Sequence, residues 1–174
     1  MMAFNLNNVS GQSVGTLIPD GTIALVLMRI KKGGHNDPEK GFTGDYATLN
    51  PKTGVIYLKC VGFIEGGEYT KRRISFRIGL DSPNSPEYQN MGLEFMRSII
   101  DSAHGLMPDD DSPEAIQKRQ CDFPDLDGLI FTARIDVEQV GAKSKDRNMI
   151  NYAITPDSDL YVGKSSKSKK TKTA

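Results

Sequence analysis

The sequence predicts a mainly β fold with one principal helix: a small barrel of five main strands, the helix falling between the third and the fourth. Two patterns carry this. Apolar and polar residues alternate one for one through several segments, the period of a strand with one buried face. At "QNMGLEFMRSIIDSAHGL" the alternation gives way to apolar residues three and four apart, the period of a helix. Length sets the scale, since 174 residues, 37% of them hydrophobic, suffice for one domain with a real core, a tail and long loops.

Residues 1–20 are rich in Asn, Ser and Gly and without periodicity, so a loosely held N-terminal arm is expected, ending at the Pro19–Gly21 turn. The barrel domain is expected over 21–162. "TIALVLMRIKK" is the first strand, apolar on both parities and then basic at Arg29, Lys31 and Lys32 as it leaves the core. "GGHNDPEKGFTGDY" has the Gly, Pro and Asp content of a loop. "YATLNPKTGVIYLKCVGFIEGG" reads as a hairpin turning at "NPKTG", with Gly54 available for positive φ. Its second arm sets Ile56, Leu58 and Cys60 in one row and Tyr57, Lys59, Val61 and Phe63 in the other. "EYTKRRISFRIGL", 68–80, continues as a strand with Ile74, Phe76, Ile78 and Leu80 inward, and Tyr69, Lys71, Arg73 and Arg77 outward.

The helix then packs Met91, Phe95, Ile99 and Ala103, with Met96 and Ile100 alongside; Ser85 or Asn84 caps it, Pro86 opens its first turn and Gly105 ends it. A polar connector follows with a short helix from Ser112, then the strand "LIFTARIDVEQV", the basic loop "GAKSKDRN" and a last short strand in "MINYAITPD". Residues 163–174 are low-complexity Lys, Ser and Thr and are expected to be disordered.

Charge sharpens this division. The net charge is zero, yet "KSSKSKKTKTA" holds five of the 22 basic residues and no acid; without it, 17 basic side chains face 22 acidic ones. The body is thus about −5 and the tail about +5. Net charge does not draw such a body to nucleic acid, so binding must come from a local patch. No apolar run approaches the roughly 20 residues of a membrane helix, and the start lacks the pattern of a signal peptide, so a cytoplasmic protein is expected. Asn8 begins an N-V-S triplet, which has no chemical consequence in that compartment. Cys60 and Cys121 form no CxxC pair and adjoin neither His35 nor His104, which suggests free thiols, neither disulfide nor zinc site, and no cofactor.

The two middle strands agree in having one apolar row each, and their other rows combine Tyr57, Lys59, Phe63, Tyr69, Lys71, Arg73 and Arg77. That is a face of alternating rings and cations. Bases stack on exposed rings while Lys and Arg follow phosphates. The element order is that of the five-stranded OB barrel, whose second and third strands, with the loops between strands 1 and 2 and between strands 4 and 5, bind oligonucleotides or oligosaccharides. The loops supply Lys31, Lys32, Lys40, Phe42, Tyr46 and Lys52 on one side and Lys143, Lys145 and Arg147 on the other. The competing reading is a solvated cationic face with rings covering a sheet edge.

The segments "MAFNLN", "IPDGTIALVLMRIKKG", "GGEYTKRRISFRIGL", "QNMGLEFMRSIIDSAHGL" and "LDGLIFTARIDV" resemble, over residues 1–157, the small OB-fold single-stranded DNA-binding proteins of phage and prophage replication modules. The resemblance implies cooperative, sequence-tolerant coating of single-stranded DNA in the host cytoplasm during phage replication or recombination. Replication or recombination proteins are then further partners, and an oligomer is compatible. Two departures stand out: the tail is basic where bacterial-type proteins of this function end in acid, and there is no tryptophan.

Other chemistries are weaker. An OB-like module for protein or RNA would use the same face. A metal-dependent nuclease would use Asp109, Asp110 and Asp111, although adjacent carboxylates in such a connector are usually solvated charge. "GKS" at 163–165 lacks the first glycine and the following helix of a phosphate-binding loop. His104, near the helix end, suits a structural cation better than a general base, and His35 lies in a loop with no partner evident from spacing. No nucleophile, base and orienting group can be assembled, so no enzymatic activity is expected.

Overall fold

A computed structural model describes residues 4–7, 16–139, 141 and 146–163. The tail from 164 and the loop residues Lys143 and Lys145 lie outside the described residues. In chain order the elements are β1 (Thr22–Lys31), β2 (His35–Asp37), a 3-10 turn (Pro38–Lys40), β3 (Phe42–Leu49), β4 (Ile56–Glu65), β5 (Arg73–Asp81), α1 (Pro86–His104), α2 (Pro113–Arg119), α3 (Phe123–Leu126), β6 (Ile130–Glu138) and β7 (Arg147–Ala153). The fold is mainly β.

All pairings are antiparallel. β4 pairs with β5 along one side and with β1 and then β3 along the other; β1 pairs with β6, and β6 with β7. The sheet curls into a half-barrel, bringing β5 close to β7 with no ladder between them among the described residues. Alternation decides what faces the inside. Val26, Met28 and Ile30 of β1 meet Leu58 and Cys60 of β4, Ile74, Phe76 and Ile78 of β5, Phe131 and Ile135 of β6 and Ile150 of β7 in one buried cluster. Gly62 lets the two sides of the curl meet: a Cβ there would lie 2.5 Å from Val26 Cγ1 and 2.9 Å from Ile150 Cδ1.

The helix α1 seats on β5, β6 and β7. Ser85 stands at its N-cap without a side-chain capping bond, Pro86 follows, and Gly105 ends it in the left-handed region. The buried stripe differs from the expected one at its start. Met91 is 68% exposed and Gly92 is buried instead, because α1 crosses β5 so closely that a Cβ on Gly92 would sit 1.6 Å from the Gly79 carbonyl oxygen.

Three further expectations are corrected. The strand expected over 68–80 starts at Arg73, since Gly66, Gly67 and Lys71 take positive φ and the chain spends residues 66–72 reversing direction. Hydrogen bonds from Lys71 N–H to the Ile64 carbonyl (2.7 Å) and from Ile64 N–H to the Arg72 carbonyl (2.9 Å) close that turn. The loop expected before Tyr46 contains β2, the 3-10 turn and the start of β3, paired as a hairpin. The connector is not wholly polar: α2, capped by Ser112, buries Ala115, and α3, with an Asp122/Asp125 capping box, buries Phe123 and Leu126.

Toward the chain start, Ile18 is fully buried, and Asn148 holds it from both sides: its Oδ1 accepts from Ile18 N–H at 3.0 Å and its Nδ2 donates to the Ile18 carbonyl at 2.8 Å. The end of the expected arm is therefore fastened to β7. Among the described residues no helix is long and apolar enough to cross a membrane.

Candidate nucleic-acid interface

Register builds the face. Across β4 and β5, Lys59 opposes Arg77, Val61 opposes Ser75 and Phe63 opposes Arg73, and residues opposed in this way project to one side of the sheet. That side is the outside of the half-barrel, because the intervening residues enter the core. The Arg77 guanidinium lies 4.5 Å from the centroid of the Tyr57 ring, and that of Arg73 lies 5.5 Å from the centroid of Phe63. Both rings are partly buried, while Lys59, Arg73 and Arg77 are exposed. Cations held over ring faces are attracted by the ring quadrupole, so each arginine is positioned by its neighbour.

Beyond β5 the surface drops into an open groove of about 580 Å³ between β5 and β7. Lys59, Arg73, Ser75 and Arg77 line one wall; Arg147, Asn148, Met149 and Asn151 line the other, and among the described residues no carboxylate lines it. The groove thus unites Arg147 with the two arginines of β5, about seventy residues away in the chain. Arg147 also donates to Glu138 Oε2 at 2.6 Å, which offsets part of its charge. On the other flank Arg29 opposes Val61 and Lys31 opposes Lys59, so β1 widens the cationic face, with Arg29 paired to Asp127 at 3.3 Å.

Several expected contributors stand elsewhere. Tyr69 lies in the turn before β5 and packs against the core cluster, so it is not an outward ring of the strand; Lys71 is exposed in that turn. Phe42 is buried beside Phe123 (6.2 Å between centroids), and Tyr46 packs 6.1 Å from the same ring with Lys32 4.9 Å from its own centroid. These two loop rings serve packing. Lys40 is bound by Asp81 at 2.7 Å, and that hydrogen bond raises its pKa above the usual lysine range. Arg72, between the rows, donates to the Thr16 carbonyl at 2.8 Å.

The acidic connector is engaged locally. Asp110 Oδ1 accepts from Ser112 N–H at 2.9 Å, and hydrogen bonds from Ser112 hold its carboxyl below the usual range. Among the described residues no three His, Cys, Asp or Glu side chains are grouped so as to hold a metal ion. Nearby, the buried Asp101 accepts from Arg119 Nε at 2.8 Å and Arg97 Nε at 3.1 Å, which ties α1 to α2. The Nε2 of His35 is buried without a hydrogen-bond partner among the described residues.

The molecule is therefore a curled antiparallel half-barrel carrying paired rings and arginines on its outer face and a cationic groove along its open seam. No protein-family model matches the chain, and no curated protein matches it.

Proposed function

We propose that this protein is a non-catalytic single-stranded DNA-binding protein of the OB type, serving phage DNA replication or recombination. The observation that carries the reading is the register of Tyr57, Lys59 and Phe63 with Arg73 and Arg77, beside a groove that adds Arg147. The pairings also support an OB reading of the half-barrel. Taking β1, β4, β5, β6 and β7 as the five main strands, the first pairs with the second and fourth, the second with the third and the fourth with the fifth, with α1 between third and fourth. The face then lies on the second and third strands, the usual oligonucleotide surface of that fold.

The chemistry follows from the two kinds of group. Tyr57 and Phe63 offer ring faces to unpaired bases, which every base can use, so sequence preference is weak. Lys59, Arg73 and Arg77 neutralise phosphates and release counterions, while Arg147, paired with Glu138, adds less. Duplex DNA keeps its bases stacked on one another, so it gains from the cations alone.

Salt-titrated binding to single- and double-stranded DNA and RNA of equal length tests this. Single-stranded DNA should bind most tightly, and Tyr57→Ala with Phe63→Ala should weaken it by about 1–3 kcal/mol per stacking ring while nearly keeping the salt slope. Duplex binding that equals single-strand binding would overturn the proposal. Equal or better RNA binding would turn it toward an RNA module, and EDTA-sensitive cleavage lost on changing Asp109–Asp111 would turn it toward a nuclease.

A further inference from the structure

The pattern of paired ring and arginine extends past the segment in which alternation displays it. β6 and β7 pair so that Glu138 opposes Arg147, Asp136 opposes Met149 and Arg134 opposes Tyr152, with Asn151 as the extra residue of a bulge. Opposed residues share a side, so Arg147, Met149 and Tyr152 form one outward row on β7. Arg147 and Met149 already line the groove facing Arg73 and Arg77, and Tyr152 continues that row.

At this end the geometry repeats that of the β4–β5 face. The Arg134 guanidinium lies 4.2 Å from the centroid of the Tyr152 ring, and Asp136 Oδ1 accepts from its Nε at 3.0 Å. Even with the guanidinium over its ring, Tyr152 as a residue is 53% exposed. The three pairs of arginine on a ring thus fall on β4–β5 and on β6–β7, the two strand pairs whose facing members, β5 and β7, border one groove.

We propose that Tyr152, with Arg134, is a further base-stacking position, reached by a single strand that leaves Tyr57 and Phe63 on β4 and crosses the groove between β5 and β7. This rests on the reading of the β4–β5 face as the primary site. The charge of Arg134 is largely matched by Asp136, so the position adds stacking rather than counterion release. It therefore serves strands long enough to cross the groove and is silent for shorter ones.

The test compares oligothymidylates of about 4 and about 16 nucleotides, the range of site sizes for one OB-type fold, on the full chain and its Tyr152→Ala, Tyr152→Phe and Tyr152→Gln variants. Tyr152→Ala should lower affinity for the long strand by roughly 5- to 150-fold, the equivalent of one stacked base. Affinity for the short strand and the salt slope should stay as in the parent, and Tyr152→Phe, which keeps the ring, should behave like the parent. If Tyr152→Ala loses its circular-dichroism signature, Tyr152→Gln is judged by the same criteria. Parental affinity for both lengths in a folded variant would overturn the proposal and make Tyr152 a plain edge-strand residue. If Tyr57→Ala and Phe63→Ala weaken both lengths in that case, only the Tyr152 position falls; if they too change nothing, the primary reading falls.

Discussion

Replacing Arg73 and Arg77 together by glutamine should flatten the salt dependence of single-strand binding by a calculable amount. Of the four cations that line the groove among the described residues, Arg147 is paired with Glu138 at 2.6 Å, whereas no carboxylate among those residues pairs with Lys59, Arg73 or Arg77. Each phosphate neutralised on a single strand contributes about 0.7 to the slope of log K against log salt, so three free cations give about 2 and the double variant loses about 1.4 of it. Between about 50 and about 200 mM salt the parent's affinity should then fall roughly sevenfold further than the variant's. Fluorescence anisotropy with a labelled oligothymidylate reads both affinity and slope. Arg72→Gln is the internal control: the Thr16 carbonyl holds its guanidinium away from the outward row, out of reach of the phosphate path, so the slope should not move. Glu138→Gln should act in the opposite sense, freeing Arg147 and steepening the slope by up to about 0.7. An unchanged slope with lower affinity in the double variant would mean the arginines act by placing the rings. Unchanged slope and affinity would remove the groove from the phosphate path.

Other perturbations read the scaffold. Gly92→Ala forces a Cβ to within 1.6 Å of the Gly79 carbonyl oxygen, so α1 must lift from β5; a loss of about 3 kcal/mol in thermal or urea unfolding is expected, and a near-neutral change would show that α1 can shift freely. Asp101→Ala leaves Arg119, whose side chain is only 12% exposed, with the carbonyls of Asp110 and Met107 but no counter-charge, and should cost about 3 kcal/mol by the same assay, with Arg97, half exposed, sharing little of it. Burial pushes the Cys60 thiol far above the usual range and that of Cys121 less so, so thiol labelling of the folded protein near neutral pH should be slow and confined to Cys121. Because the folded state holds the Cys60 proton more tightly than the unfolded chain, that contribution to stability is complete below the ordinary thiol pKa and declines as pH rises past it; a stability that climbs through that window would contradict the assignment.

What the chain determines by itself is whatever depends on neighbours in sequence. Alternation suffices to assign Ile56, Leu58, Cys60, Ile74, Phe76, Ile78 and Leu80 to the core and Tyr57, Lys59, Phe63, Arg73 and Arg77 to the other side, because side-chain direction in a strand is a local property. Pro86 and Gly105 likewise mark the ends of α1, since φ restriction and φ freedom act within one turn. Local pattern fails where another element decides. Tyr69 has the parity of the outward row yet packs on the core, because two glycines and Lys71 at positive φ break the strand before the parity applies. Phe42 and Tyr46 look like exposed loop rings until α3 brings Phe123 against them, and Met91 looks like stripe until the close crossing at Gly79 demands a glycine at 92. Tyr152 and Arg134, eighteen residues apart, acquire meaning only through the β6–β7 register, which the bulge at Asn151 shifts by one. The groove itself belongs to tertiary structure alone: Arg73 and Arg77 meet Arg147 because the curl of the sheet brings two edge strands together, and curl is a sum of small twists over every strand between them.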